Sequence, residues 1–178
     1  MNIFYLHKDP VKCAEMMHDK HVVKMILETA QLLCTAHRIL DGEMYVGRTE
    51  NTGRKVKRWK MNDEFMESKL YKATHVNHPS AIWARQSNNN YKWLYQHFVG
   101  LCQEYTYRYG KTHMCEDKLI IALAIPPKNI PINFLSEMPQ AMPDEYKRVN
   151  PVDGYRAYYI GEKVQQSKWT KRSVPEWI

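Results

Sequence analysis

The chain has 178 residues, 44% hydrophobic and 25% charged, enough to enclose one core that buries roughly 70% of the unfolded surface. A formal charge of +7, spread through a globular composition and not confined to a tail, favours polyanionic partners over acidic metabolites. Cys13, Cys34, Cys102 and Cys115 stand far apart, which argues against a disulfide scaffold and for reduced thiols in a cytoplasm. The opening MNIFYLHKDP is too short an apolar run for a signal peptide, and no segment approaches the roughly 18 apolar residues of a membrane span.

In chain order, Asp9-Pro10 supplies a cap followed by proline at the first helical position, and a periodic segment runs to about Leu40, where Asp41-Gly42 stops it. Val22, Met25, Ile26, Thr29, Leu32, Leu33, Ala36 and Leu40 form one stripe at three- and four-residue spacing, predicting a core-facing helix. Residues 62–73 repeat the pattern more weakly, with Asn62 as cap and Phe65, Met66 and Leu70 inward. Residues 79–109 read as one long or two consecutive helices, ended by Gly110, with Ile82, Trp83, Leu94, Tyr95, Phe98, Leu101, Cys102 and Tyr105 buried. The run from Leu119 to Ile125 is too short for periodicity to choose between helix and strand. Five prolines between 126 and 150 predict ordered surface coil, and a last helix starts at Asn150-Pro151. Trp169 and Trp177 should be packed down. The expected architecture is all-α: a single compact domain over residues 1–178, its central N-terminal helix packed by two to four others, with a long proline-rich surface loop.

Three constellations carry chemistry. His21, Lys24 and Glu28 share one side of the first helix, because residues seven apart differ by roughly 20° of rotation. A carboxylate at the border of an apolar stripe is partly desolvated, which raises its pKa toward acid–base work, while Lys24 four residues earlier pushes it back down. The same three residues also describe an ordinary surface ion pair beside a histidine. The segment GRTENTGRKVKRWK, residues 47–60, reads as a glycine-broken loop in which Arg48, Arg54, Lys55, Lys57, Arg58 and Lys60 offer phosphate contacts and Trp59 a stacking face. It also reads as a solvated charge run. In THVNHPSAIWAR, residues 74–85, Pro79 opens a helix whose first N–H groups, near Ser80, form an anion-ready pole beside His75, Asn77 and His78, with Arg85 further along. Plain capping by Asn77 or His78 would leave the same pattern. His75 and His78 lack a third ligand of suitable spacing, so neither a metal nor another cofactor is expected.

The order of these features, with EYTYRYG at 104–110 and a final tyrosine-rich helix, resembles the phage pyrimidine-dimer DNA glycosylase/AP lyase family of the endonuclease V type. The likeness is closest at residues 53–60. It implies an all-α domain that kinks DNA, flips a base and attacks the sugar with the chain's own α-amine, here that of Met1. Glu28 matches the family's catalytic glutamate and His21 its neighbour, with Lys24 able to supply a nearby cation. Where the family places arginines this chain has Leu27 and Gln31, and Asn2 is large enough to leave Met1 in place, so a weak or absent lyase step is expected. DNA or nucleotide phosphates are the expected partners, in a cytoplasm, that of the host cell if the chain is phage-encoded. Whether the chain catalyses stays open: a binder or hydrolase of small nucleotides and a non-catalytic DNA-binding accessory protein remain alternatives.

Overall fold

A computed structural model describes residues 1–165 and 167–178. It is mostly helical, with seven α-helices and a two-stranded sheet among the described residues. No helix among them is long and apolar enough to cross a membrane.

The first periodic segment is two helices and not one: α1 spans Pro10–Glu15 and α2 spans Asp19–Asp41. Asp9 caps α1 through Val11 and Lys12 N–H, as its Asp-Pro signature predicts. The break at residues 16–18 has two causes. His18 adopts an extended backbone and caps α2, its Nδ1 accepting from His21 N–H at 3.3 Å. The buried Arg108 guanidinium, arriving from a later helix, donates to the Glu15 and Met17 carbonyls at 3.0 and 2.9 Å and so satisfies the end of α1. The predicted α2 stripe from Val22 to Ala36 is buried, with Leu40 partly so.

Residues 47–60, read above as a loop, belong to an antiparallel hairpin of β1 (Glu43–Arg48) and β2 (Lys55–Lys60), so the domain is not purely helical. Neither strand has a buried face, so no alternation of apolar and polar residues announces it. The hairpin is fixed to α2 by the buried Arg38. Its guanidinium donates to the Trp59 carbonyl at 2.9 Å, to Leu70 O at 2.9 Å and to Tyr71 O at 3.2 Å, and it pairs with the Glu67 carboxylate. Burial pushes the Glu67 carboxyl up, but the Met61 N–H and Arg38 outweigh it and hold it below its ordinary value.

The next helix, α3, covers Glu64–Lys69 with Asp63 as its cap, one residue after the predicted Asn62, and its Phe65 is half exposed and not inward. Residues 79–109 form two helices, α4 (Pro79–Gln86) and α5 (Asn88–Tyr109), divided at the extended Ser87, whose hydroxyl caps α5 through Asn90 N–H. Ile82, expected inside, lies at the surface of α4. Gly110 closes α5 in the left-handed region at φ +66°, as predicted. Helix α6 spans Met114–Leu119 and gives way to turns, resolving the ambiguous 119–125 run as neither a long helix nor a strand. The proline-rich 126–150 segment is coil except for one short 3-10 turn at Asp144–Tyr146, and α7 (Pro151–Glu162) starts at its Asn150 cap.

Helix α2 packs on α4, α5 and α6, while α1 crosses α5 at Gly100, where a Cβ would come within 3.3 Å of the Val11 Cα. A contiguous core runs from Ile3 through α2 and α5 to Tyr159, with Trp169 and Trp177 packed against it.

Candidate active site and nucleic-acid interface

Glu28 sits mid-way along α2, facing the N-terminal segment. Its Oε2 accepts the Asn2 N–H at 3.2 Å and lies 4.0 Å from the Met1 α-amine; its Oε1 is 3.3 Å from the Lys24 ammonium. The Glu28 side chain is 16% exposed and that of Lys24 64%, so the carboxylate is sheltered while its lysine partner stands in solvent.

The N-terminal segment is anchored in the core by Ile3 and Leu6, both fully buried, and by Phe4. Phe4 adopts φ +55°, a conformation costly for a residue with a side chain, and packing compensates it. Its ring lies 4.5 Å from His21 and 6.0 Å from Tyr158, the latter stacked, and meets Tyr159 edge-on. His21 is therefore part of an aromatic cluster. It stacks on His18 at 4.1 Å, and burial, aided by His18, Lys24 and Lys163, lowers its pKa to about 3. Its ring is neutral at ordinary pH, and its Nδ1 is buried without a hydrogen-bond partner.

The start of α4 reaches the same place. Burial lowers the His78 pKa, the Met1 ammonium and His75 lower it further, and Glu28 opposes them, which puts His78 within electrostatic range of both Met1 and Glu28. The predicted pole is partly self-satisfied: His78 Nδ1 accepts from Ser80 N–H at 3.2 Å, and Ser80 is buried. Arg85 turns back onto its own loop, donating to Val76 O at 2.9 Å and Ala81 O at 2.8 Å. Thr74 Oγ1 bonds His75 Nδ1 at 2.8 Å, His75 takes φ +48°, and Asn77 stands beside it in the same loop. Among the described residues no three His, Cys, Asp or Glu side chains gather as a metal site.

The hairpin sorts the basic run into two faces. Its register pairs Arg48 with Lys55, Val46 with Lys57 and Met44 with Trp59, so by strand alternation Arg48, Lys55, Lys57 and Trp59 share one face. Arg58, opposite Tyr45, and Lys60, opposite Glu43, lie on the other, and Arg54 sits at the turn. Lys57 and Trp59 then line a cleft of about 390 Å³ together with residues 73–77, which joins the basic run to the His75 loop. A larger cleft of about 540 Å³ lies among Phe65, Met66, Ile121, Ile125 and Pro126 near Asp41, thirteen residues or roughly 20 Å along α2 from Glu28. Size alone would therefore point away from Glu28.

A sequence-family model described as pyrimidine dimer DNA glycosylase matches residues 1–117. The chain belongs to the pyrimidine dimer DNA glycosylase family. No curated protein and no solved structure matches it. Membership makes DNA the substrate or partner of this glycosylase-family chain. The matched span covers α1 to α5 and the hairpin and ends within α6. The proline-rich segment, α7 and the tail lie beyond it, yet α7 packs Tyr155, Tyr158 and Tyr159 around Phe4. Asn2, weighed in the sequence only for its size, meets Glu28 here, a contact that no periodicity or charge at position 2 marks.

Proposed function

We propose that the protein excises damaged bases from DNA, with Glu28 as its central carboxylate and the α-amine of Met1 as its nucleophile. The observation that carries this reading is the meeting of that amine, the Asn2 N–H and the Glu28 carboxylate within 4.0 Å. An α-amine titrates near 8 in ordinary surroundings and is a better nucleophile at neutral pH than a lysine. In the proposed step the neutral amine forms a bond to C1′ as the glycosidic C1′–N bond breaks. The bonding pair leaves with the base, which takes up a proton from solvent, and the proton shed by the amine passes to Glu28. Opening of the C1′–O4′ bond, with Glu28 returning the proton to O4′, leaves an imine between protein and sugar. Glu28 also stabilises the positive charge that develops on the sugar. Lys24 and His78 set the surrounding charge, and His21 supports Phe4 and thereby the N-terminal segment.

Borohydride reduction tests this directly by freezing the imine as a stable protein–DNA adduct. Against the weak or absent lyase step expected from the sequence, peptide mapping should find the adduct on residue 1, because the Met1 amine lies 4.0 Å from Glu28. An adduct on Lys24 would move the nucleophile to the helix, and none at all, with DNA binding intact, would remove the amine from the mechanism.

The hairpin and the 73–78 loop are the proposed phosphate-binding surface. Arg48 directly opposite Lys55 costs stability in the free protein, and a bound polyanion relieves it. Trp59 supplies a stacking face at the cleft shared with His75 and Asn77. Replacing Arg54, Lys55, Lys57 and Arg58 together should flatten the dependence of log affinity on log salt by roughly one unit for each phosphate that is no longer neutralised. A titration of duplex DNA at several salt concentrations reads this, and an unchanged slope would leave the run merely solvated. The reaction is assigned to the cytoplasm, where the four buried cysteines stay reduced.

A further inference from the structure

We infer that the segment beyond the family-matched span positions the nucleophile, with Asn2 and Tyr155 acting as positioning residues that hold the Met1 amine against Glu28; this rests on the reading just proposed. The Asn2 side chain is held at both ends. Its Nδ2 donates to the Ala141 carbonyl at 2.8 Å, while its Oδ1 accepts from the Tyr155 hydroxyl at 2.9 Å and from Ile3 N–H at 2.8 Å. Three of the four hydrogen bonds an asparagine amide can make are thus engaged. Tyr155 is fully buried on α7, and burial raises its pKa, so its hydroxyl keeps its proton. That proton is shared between Asn2 Oδ1 and Pro139 O, at 2.8 Å, while the phenol oxygen accepts Ala141 N–H at 3.3 Å. The strap at 139–141 and α7 therefore form one unit around Asn2, and both lie outside residues 1–117.

The geometry has a consequence for reactivity. The Asn2 backbone N–H points at Glu28 Oε2, and the Met1 side chain is only 3% exposed, so the chain end is fixed on either side of the amine. An unanchored chain terminus would sample many directions, and a misplacement of about 1 Å at a reacting atom can cost about 100-fold in rate. Anchoring residue 2 removes most of that freedom before DNA arrives, in the way that supporting contacts preorganise a reacting group.

The test uses Tyr155→Phe, which removes only the hydroxyl, and Asn2→Leu, which keeps the approximate volume and a large second residue. Mass spectrometry verifies that Met1 is still residue 1. Each variant is assayed for melting temperature, for affinity toward duplex DNA bearing an abasic site, and for the single-turnover rate of borohydride trapping. Trapping should slow by about 10-fold or more in both, with DNA affinity within about twofold, and the double variant should be little slower than either single one, as expected for residues acting as a unit. Asn2→Asp, which keeps the acceptor for Tyr155 and removes the donor to Ala141, should fall between. Trapping at the unaltered rate, or slowed only in proportion to a reduced folded fraction or a weakened DNA affinity, would overturn the positioning role. Absence of any adduct in the unaltered protein would instead overturn the nucleophile on which the inference rests.

Discussion

Glu28→Gln is expected to lower single-turnover base release from damaged duplex DNA by ~100-fold or more while DNA affinity changes little. Glutamine keeps the shape of the side chain and an acceptor oxygen for the Asn2 N–H, so the N-terminal segment stays in place. It loses the proton site and the negative charge facing the Met1 amine and the sugar. The interaction removed is one made chiefly in the transition state, so the loss should appear in turnover and not in binding. Lys24→Met serves as the comparison, because its exposed i,i+4 pair with Glu28 is worth only about 0.3–0.5 kcal/mol. Circular dichroism and thermal melting decide the opposing case: if the glutamine variant unfolds, Glu28 is a structural partner of the chain end. A folded variant with unaltered turnover would remove Glu28 from the chemistry altogether.

How much of this was readable in the residues follows from what each element buries. The α2 stripe, the α7 cap and the Gly110 stop are local signals, and the structure has all three where the spacing puts them. The break between α1 and α2 is set from a distance, by Arg108 on α5 reaching carbonyls more than ninety residues earlier, and no local pattern carries that. The hairpin escaped because its strands bury no face and lean on the Arg38 guanidinium, a charged residue whose burial no hydropathy pattern predicts. Glu28, Lys24 and the basic run were visible as residue types at helical or clustered spacing. The contact of Glu28 with Met1 and Asn2 depends on a chain end folded back under Phe4, and the grip on Asn2 comes from residues about 140 positions later. Such long-range closure leaves no mark in a single sequence.

Mild acid should strongly destabilise the protein at a pH above that at which carboxylates titrate. Four histidines are buried: His18, His37 and His97 have pKa values lowered to about 4, and His21 to about 3. Burial is the first cause for each. Lys20 and Arg108 add to it at His18 and Asp19 opposes it, while Asp41 and a hydrogen bond with the Ile125 backbone oppose it at His37. At His97 and His18 the hydrogen bonds agree with neutral rings. The Pro10 carbonyl, 2.9 Å from His97 Nδ1, fixes the proton there and leaves Nε2 buried and bare, as is His18 Nε2. In the unfolded chain the same rings take up protons near pH 6.5. Between about pH 6.5 and 4 the unfolded state thus binds more protons than the folded one, and stability falls as pH falls through that window. Each histidine contributes up to about 1.4 kcal/mol per pH unit, so four together make the fall from pH 6 to 5 about 5 kcal/mol, the lower end of the roughly 5–15 kcal/mol that holds a domain folded. Asp19 and Glu67 are held below their ordinary values and add a further loss only at lower pH, as they too become protonated. Urea unfolding at pH 7, 6 and 5 measures the effect: the midpoint should drop steeply at each step, and His97→Gln should flatten the decline by about one proton's share. A midpoint unchanged between pH 7 and 5 would mean that the folded state accommodates charged imidazoles, and the neutral His18–His21 stack behind Phe4 would have to be given up.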